Sequence, residues 1–542
     1  MRPGLMRAAS AVGGVSLVLV ALAAVLPPVA AGTMLFAPNP DGGHALGAFF
    51  VSRILPALRF TVLQAVLSAI LAVLVGLPGA FLAARRDFPG RRILLSLSGV
   101  PLCVPPVVIA LSFVLFYGRS GVLNSVLMAI FALDAPPVTF LYSLAGVVLA
   151  HGLYNFPVVL RTVSRAWERL PADREEAALL LGAGPFRVFR TITMPALAGP
   201  LVSSALLVFL YCFFSFVIVL MFGTIGGTTL EVELYQAARN VTNLRGAALI
   251  AVVETLCAIG FVLLHAFTRR YFSHTRGMNV LRSRKPLCGI REIGPGTGYL
   301  VLLAVFFIGP LCMIVVRSLT VTSGGQYTGA TGFALSGWAS LFTLPSFYSA
   351  LAATFAVGCA TAFLATAAAL AFALYEEKRG SESTFMRTLP LLPLAVSSVV
   401  LGFGWTMLVP EGSVAVLVVA QAAVSWPFAW TQIRASLDRI PKEIPQAALL
   451  LSPRASDVSF RVLVPLARRG ILSGAGFAFA ISAGDASLPL ILSLPEFENL
   501  ALLLFRLSGS YRFTEASACA VLLALITGVV FFLQDSEKER SS

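Results

Sequence analysis

Apolar runs of membrane-spanning length recur along the whole chain, separated by short polar segments rich in arginine. They fall at residues 57–84, 93–117, 131–160, 197–222 and 247–267, and again at 297–318, 346–375, 388–409, 413–433, 471–494 and 516–533. A helix needs about 20 apolar residues to cross a bilayer. A further run, ending near residue 31, follows Arg2 and Arg7. It has the layout of a secretory leader, but it is of full span length and lacks a convincing cleavage site, so it is expected to stay as the first helix. The pattern therefore predicts an all-α, polytopic membrane protein with about twelve transmembrane helices. The fourth span of each set of six is the least clean, with Pro136 and Pro137 at one entry and Trp426-Pro427 inside the other. Proline is tolerated in a membrane helix where neighbouring groups satisfy the carbonyl it frees.

Composition agrees with this. Of 542 residues 58% are hydrophobic and only 12% are charged, about half the charge that a water-soluble surface demands. A soluble enzyme of this length is excluded. The net charge of +14 does not point to nucleic acid, because the arginines lie between spans. Arg2 and Arg7 precede the first span, Arg85, Arg86, Arg91 and Arg92 follow the second, and Arg161 to Arg190 follow the fourth. Basic residues continue to mark the gaps between spans six and seven, eight and nine, and ten and eleven, whereas residues 318–345 carry none. Positive residues stay on the cytoplasmic side, so both termini are expected there. The seven cysteines form no CxxC pair, and the four histidines form no HExxH motif. Cysteines in apolar runs read as small buried hydrophobes. No metal site and no metal-dependent hydrolase is expected.

Two cytoplasmic segments repeat one another. PADREEAALLLGAGPFRVFRTITMPALAGP starts at Pro171 and PKEIPQAALLLSPRASDVSFRVLVPLARRG at Pro441, and they align without a gap 270 residues apart. The repeat divides the chain into a first unit of six helices, residues 1–285 with its loop at 171–195, and a second, residues 286–542 with its loop at 441–465. Each loop is too polar to span and too regular to be loose. Small residues at Ala177, Ala178, Gly182 and Ala183 permit a short helix with a sharp elbow, suited to docking a partner. An amphipathic helix lying on the bilayer is the alternative.

The run Glu176-Ala177-Ala178, with Gly182 and then Pro195, resembles the cytoplasmic signature loop of ABC importer permeases. The fusion of two such units is similar to the thiamine and ferric-iron branch of binding-protein-dependent importers. Tyr117 to Gly121, Gly227 to Tyr235 and Asn499 to Arg512 favour the thiamine permeases within it. The resemblance implies a duplicated type I ABC importer permease fold in a bacterial inner membrane. It also implies coupling helices seated on two copies of a separate cytoplasmic ATPase, which would use ATP and magnesium, and one periplasmic or lipid-anchored solute-binding protein. The chain itself has no G-x-x-x-x-G-K-[ST] phosphate loop and is expected to bind no cofactor and catalyse no reaction. The second loop departs from the pattern. Gln446 stands where Glu176 does, and Ser452-Pro453 replaces Gly182-Ala183, while Ala447, Ala448 and Pro465 are kept.

Charged residues inside apolar spans mark sites, because hydrocarbon penalises them. Asp485, in the small-residue run Ser482 to Ser487, is expected on the translocation path or in a structural hydrogen bond. Ser487, Phe213, Phe214, Phe216, Phe477 and Phe479 are path-lining candidates, and Glu254 reads as structural. A thiazolium cation would suit a weakly acidic, aromatic passage, while ferric iron would also favour carboxylates. Glu231, Glu233 and Arg239, with Glu496, Glu498, Arg506 and Arg512, occupy related periplasmic positions. They are either solvated loop charges or a docking face for the binding protein. A secondary transporter is the competing class, since repeats and intramembrane acids occur there too. No nucleophile–base pair supports a membrane enzyme.

Overall fold

A computed structural model describes residues 3–36, 44–96, 104–171, 173–223, 227–239, 243–272, 285–286, 290–322, 330–379, 390, 393, 396–441, 443–451 and 455–539. Among them, ten helices are long and apolar enough to cross a membrane. A pair bent by 66°, Ser459–Leu466 with Arg468–Gly484, makes an eleventh. The remaining expected span, the ninth at 388–409, is represented by Ser398–Leu408. Its 11 residues rise only about 16 Å, too short for hydrocarbon about 30 Å thick, and most of the preceding residues lie outside the described ones. Two other boundaries move for local reasons. The run at 93–117 becomes Pro106–Tyr117, followed after Gly118–Gly121 by Val122–Phe131. The span expected from residue 131 begins only at Leu144, because Pro136 and Pro137 lack the N–H a helix interior requires.

The helices that frame the first unit are α1 (Pro3–Thr33), α2 (Leu55–Arg85), α3 (Pro106–Tyr117), α4 (Leu144–Glu168), α5 (Asp173–Leu180), α6 (Met194–Phe213), α7 (Val217–Phe222), α8 (Leu230–Arg239) and α9 (Leu244–Phe272). Those of the second are α10 (Gly309–Ser318), α11 (Pro345–Arg379), α12 (Ser398–Leu408), α13 (Val414–Leu437), α14 (Glu443–Leu451), α15 (Arg468–Gly484), α16 (Ser487–Leu492), α17 (Leu500–Gly509) and α18 (Phe513–Glu539). Among the described residues, strands are confined to two short ladders, Arg86–Asp87 with Lys285–Pro286 and Thr320–Thr322 with Ala330–Phe333.

Helix α2 shows how these apolar sequences choose a packing face. Its buried positions are Ala57, Thr61, Gln64, Ala65, Ser68, Ala69, Ala72 and Gly76, while Leu63, Leu67, Ile70 and Leu74 face outward. Lipid is as apolar as leucine, so packing rather than water exclusion holds membrane helices together, and small residues let backbones approach. Against α4 the approach is so close that a Cβ on Gly76 would meet Phe156 O and Val159 Cβ at 2.9 Å.

The 270-residue repeat is structural as well as sequential. α7 and α16, and likewise α8 and α17, begin and end at equivalent positions. Single π-helical turns at Phe189–Thr193 and Ser459–Leu463 do the same. Leu230 N donates to Thr61 Oγ1 at 2.9 Å, and Leu500 N donates to Thr354 Oγ1 at 2.8 Å. The leading helices are exchanged between units. α1 packs on α11, α12 and α13 of the second unit, with a Cβ on Gly404 blocked by the backbone of Pro27. The seventh span packs on the first, where Tyr117 donates to Phe306 O (2.8 Å) and Tyr299 to Val75 O (2.9 Å).

Candidate functional site

In each unit a long helix breaks at the same repeat position. α6 ends at Phe213 and restarts as α7 after Phe214–Phe216, and α15 ends at Gly484 and restarts as α16 after Asp485 and Ala486. A break in a membrane helix leaves backbone groups that protein must satisfy, and both units do so alike. Gln64 Nε2 donates to Cys212 O (2.7 Å), and Gln421 Nε2 to the equivalent Ser482 O (3.5 Å). Thr229 Oγ1 donates to Ser215 O (3.5 Å) and Asn499 Nδ2 to Asp485 O (3.0 Å).

Between these breaks lies a cavity of about 490 Å³ lined by both units. The first contributes His151, Tyr154, Asn155, Arg161, Tyr211 and Phe214 to Ile218, and the second contributes Gln421, Phe428, Phe477 and Gly484 to Leu488. Its size suits one small organic solute. The polar groups form two clusters at repeat-related positions. In the first, His151 Nδ1 meets Gln64 Oε1 (2.9 Å) and Nε2 meets Ser215 Oγ (2.6 Å). In the second, Gln421 replaces His151 and Asp485 replaces Ser215, with Gln421 Nε2 donating to Asp485 Oδ2 (3.2 Å). Ser487 N donates to Asp485 Oδ1 (2.8 Å), so this carboxylate also caps α16.

Of the residues expected on the path, Asp485, Ser487, Phe214, Phe216 and Phe477 line the cavity. Phe213 does not: it is buried against Phe209, Phe214 and Phe261. Phe479 packs against Phe355 instead. His151, Gln64 and Gln421 were not singled out from sequence. Their signal was a polar residue within an apolar run, at 151 and 421, one repeat apart.

The two loop helices face away from the packed core. α5 and α14 bury no residue, and Leu180, Leu181, Leu450 and Leu451 are each 89% exposed. Glu176, Ala177 and Pro195 are exposed, as are Ala447 and Pro465 at equivalent positions, whereas Ala178 and Ala448 are both half-buried. Gly182 has φ +83°. Its N–H bonds Leu179 O at 3.0 Å, and Ala183 N bonds Ala178 O at 3.0 Å. That double bond is the left-handed helix stop that glycine adopts without penalty. The equivalent Ser452 lies outside the described residues. Glu175 ties the first loop to α2, accepting from Arg85 Nη2 at 3.0 Å on each oxygen and from Thr193 Oγ1 at 2.7 Å. Pro445 holds the equivalent position in the second loop.

At the opposite end, Glu231 and Glu233 are buried, and Glu233 pairs with Arg53 at 3.0 Å. Burial, and then the neighbouring Glu254 carboxyl, raises Glu231 well above the usual carboxylate range. Glu498 pairs with Arg506 (3.0 Å) and Arg512 with Glu515 (2.9 Å). Glu496 is exposed. Of the expected docking charges, Arg239, Glu496, Arg506 and Arg512 are thus the ones at the surface.

Residues 76–273 match the family described as binding-protein-dependent transport system inner membrane component. The chain is 28% identical over 516 residues to the thiamine transport system permease protein ThiP of Brucella abortus (strain 2308), covering 91% of this chain and 90% of that protein. It is 27% identical over 491 residues to ThiP of Escherichia coli (strain K12), covering 87% of each. With ThiP of Salmonella typhimurium it shares 28% identity over 502 residues, 88% of this chain and 87% of the relative.

Proposed function

We propose that this inner-membrane permease of the binding-protein-dependent class imports thiamine, and that ATP hydrolysed by a separate ATPase drives it. The observation that carries the reading is similarity to thiamine permeases along nine-tenths of both chains, extending across both units. The cavity is compatible with it: tyrosine and phenylalanine side chains line it together with Asp485 and Arg161, and aromatic faces beside a carboxylate suit an organic cation.

In this mechanism two ATPase copies hold α5 and α14, one on each unit, and their closure on ATP and magnesium pushes both loops together. The spans then alternate between inward- and outward-facing arrangements. One periplasmic or lipid-anchored binding protein delivers the solute to the face carrying Glu496 and Arg512. With the arginine-rich gaps inside, both termini are cytoplasmic. The chain's own residues bind and pass the solute, and no bond is made or broken on them. Ferric iron has weaker support. Asp485 is the one carboxylate among the described residues lining the cavity, and both nitrogens of His151 are engaged. That is a poor donor set for a hard trivalent ion.

The test is uptake into proteoliposomes carrying the chain, its ATPase and its binding protein, with labelled thiamine and ferric iron supplied in parallel. Thiamine accumulation that needs both ATP and the binding protein is expected. Iron uptake alone overturns the solute. Thiamine uptake that persists without the ATPase and collapses with a proton ionophore makes the chain a secondary transporter.

A further inference from the structure

Positions 215 and 485 are related by the repeat, stand at the two helix breaks and line the same cavity. Their hydrogen bonds give them the same polarity. In the first unit the chain of bonds is directed from its buried end. Gln64 Nε2 donates to Cys212 O, which turns Gln64 Oε1 toward His151 Nδ1. An amide oxygen only accepts, so Nδ1 carries the proton. His151 is 1% exposed and its two partners, Gln64 and Ser215, are uncharged, so the ring is neutral and Nε2 is an acceptor. The Ser215 hydroxyl therefore donates to His151, and only its lone pairs are left for the cavity. In the second unit the Asp485 carboxyl accepts from Gln421 Nε2 and from Ser487 N.

We infer that the cavity selects an organic cation that also carries a hydrogen-bond donor, its charge facing Asp485, its donor reaching Ser215, and its rings lying against Tyr211, Phe214, Phe428 and Phe477. The inference rests on the importer reading and names the groups in this chain that recognise the solute. Two acceptors at repeat-related positions, one a carboxylate and one a hydroxyl, give the site a direction. The cationic end turns to the second unit and the neutral donor to the first. A cation among aromatic faces and beside a carboxylate is held more firmly than an uncharged ring of the same shape.

The experiment compares thiamine with its uncharged isostere, in which carbon replaces the quaternary ring nitrogen. Equilibrium binding of each to the permease–ATPase complex is measured in nanodiscs without the binding protein. Wild-type protein is expected to bind the cation at least tenfold more tightly. In Asp485→Asn, whose side-chain oxygen still caps α16, the preference should fall to within twofold, and Asp485→Glu should restore part of it. Equal binding of the two compounds by wild-type protein overturns the inference, whether or not the variants fold. So does a tenfold preference that survives Asp485→Asn. Failure of the importer reading looks different: the wild-type complex then gives no ATP-dependent thiamine uptake in proteoliposomes.

Discussion

Replacing Gly182 separates a conformational requirement from a spatial one. The residue sits at φ +83°, and a Cβ built there meets nothing within 4 Å. A side chain therefore clashes with no neighbour in this chain, and its cost is confined to the backbone. For an ordinary L-residue the left-handed conformation costs about 1–2 kcal/mol, and a β-branched residue tolerates it least. One to two kcal/mol is roughly a 5- to 30-fold loss in the population of the elbow. The loss falls on the two bonds that stop α5, Gly182 N to Leu179 O and Ala183 N to Ala178 O. Without that stop, Leu180, Leu181 and Phe186 no longer present the same exposed surface. Asparagine, which adopts the left-handed region more readily, should lose much less.

The assay is ATP-dependent thiamine uptake and thiamine-stimulated ATP hydrolysis in proteoliposomes, with membrane insertion measured on the same preparations. Activity is expected in the order glycine, asparagine, alanine, valine, with the valine variant down at least fivefold and all four inserted equally. Normal uptake by Gly182→Val refutes a docking role for the first loop. Equal loss in the asparagine and valine variants refutes the backbone argument, because it means that a partner occupies the space beside the glycine.

Three further outcomes follow from particular contacts. Glu175→Ala removes the acceptor for Arg85 and Thr193, so uptake should fall several-fold, with loosening of the first loop visible as faster proteolysis near residue 180; charge-assisted hydrogen bonds of this kind contribute about 1.5–3 kcal/mol. Gly76→Leu drives a side chain into Phe156 O and Val159 and should lower the thermal midpoint of the solubilised protein markedly, whereas Leu74→Ala on the exposed face should leave it nearly unchanged. Glu231 is raised above its ordinary value near 4.5 by burial and by Glu254. A raised carboxyl pKa favours the folded state at acidic pH, a contribution lost as pH climbs from the ordinary value through the raised one. Thermal stability should therefore decline on that climb, and Glu231→Gln should flatten the decline.

Much of the fold is legible in the sequence because hydrocarbon imposes a simple rule, a run of apolar residues about 20 long. What escapes is where a run is broken. Phe214–Phe216 lies inside apolar sequence, and nothing in its hydropathy separates a straight helix from one that ends and restarts. The exchange of leading helices escapes as well, since connectivity puts α1 beside α2, while packing sets it on α11, α12 and α13. The signature glycine is legible as a motif, but its reason, a positive φ that closes α5, is geometric. Asp485 is conspicuous from sequence as a charge in a span. His151 and Gln421 become conspicuous only when the repeat found in the loops is carried through the spans, because each is an unremarkable polar residue on its own.

On the proposed mechanism, the two units share exposed loop leucines for a common partner and part at the cavity, where one solute would bind. Two copies of one ATPase, on the proposed mechanism, require similar surfaces. The loops comply, with leucines exposed to the same extent at 180 and 450 and at 181 and 451. The proposed solute has no twofold symmetry, and a site made of identical halves would hold it equally well in two opposed orientations. At the helix breaks the repeat is accordingly kept in backbone and changed in side chain. Cys212 O and Ser482 O accept from glutamines in both units, whereas His151 with Ser215 faces Gln421 with Asp485. The framework of the break is a condition of crossing hydrocarbon, so both units retain it. The groups it presents to the cavity are not under that condition, and there Ser215 of the first unit corresponds to Asp485 of the second.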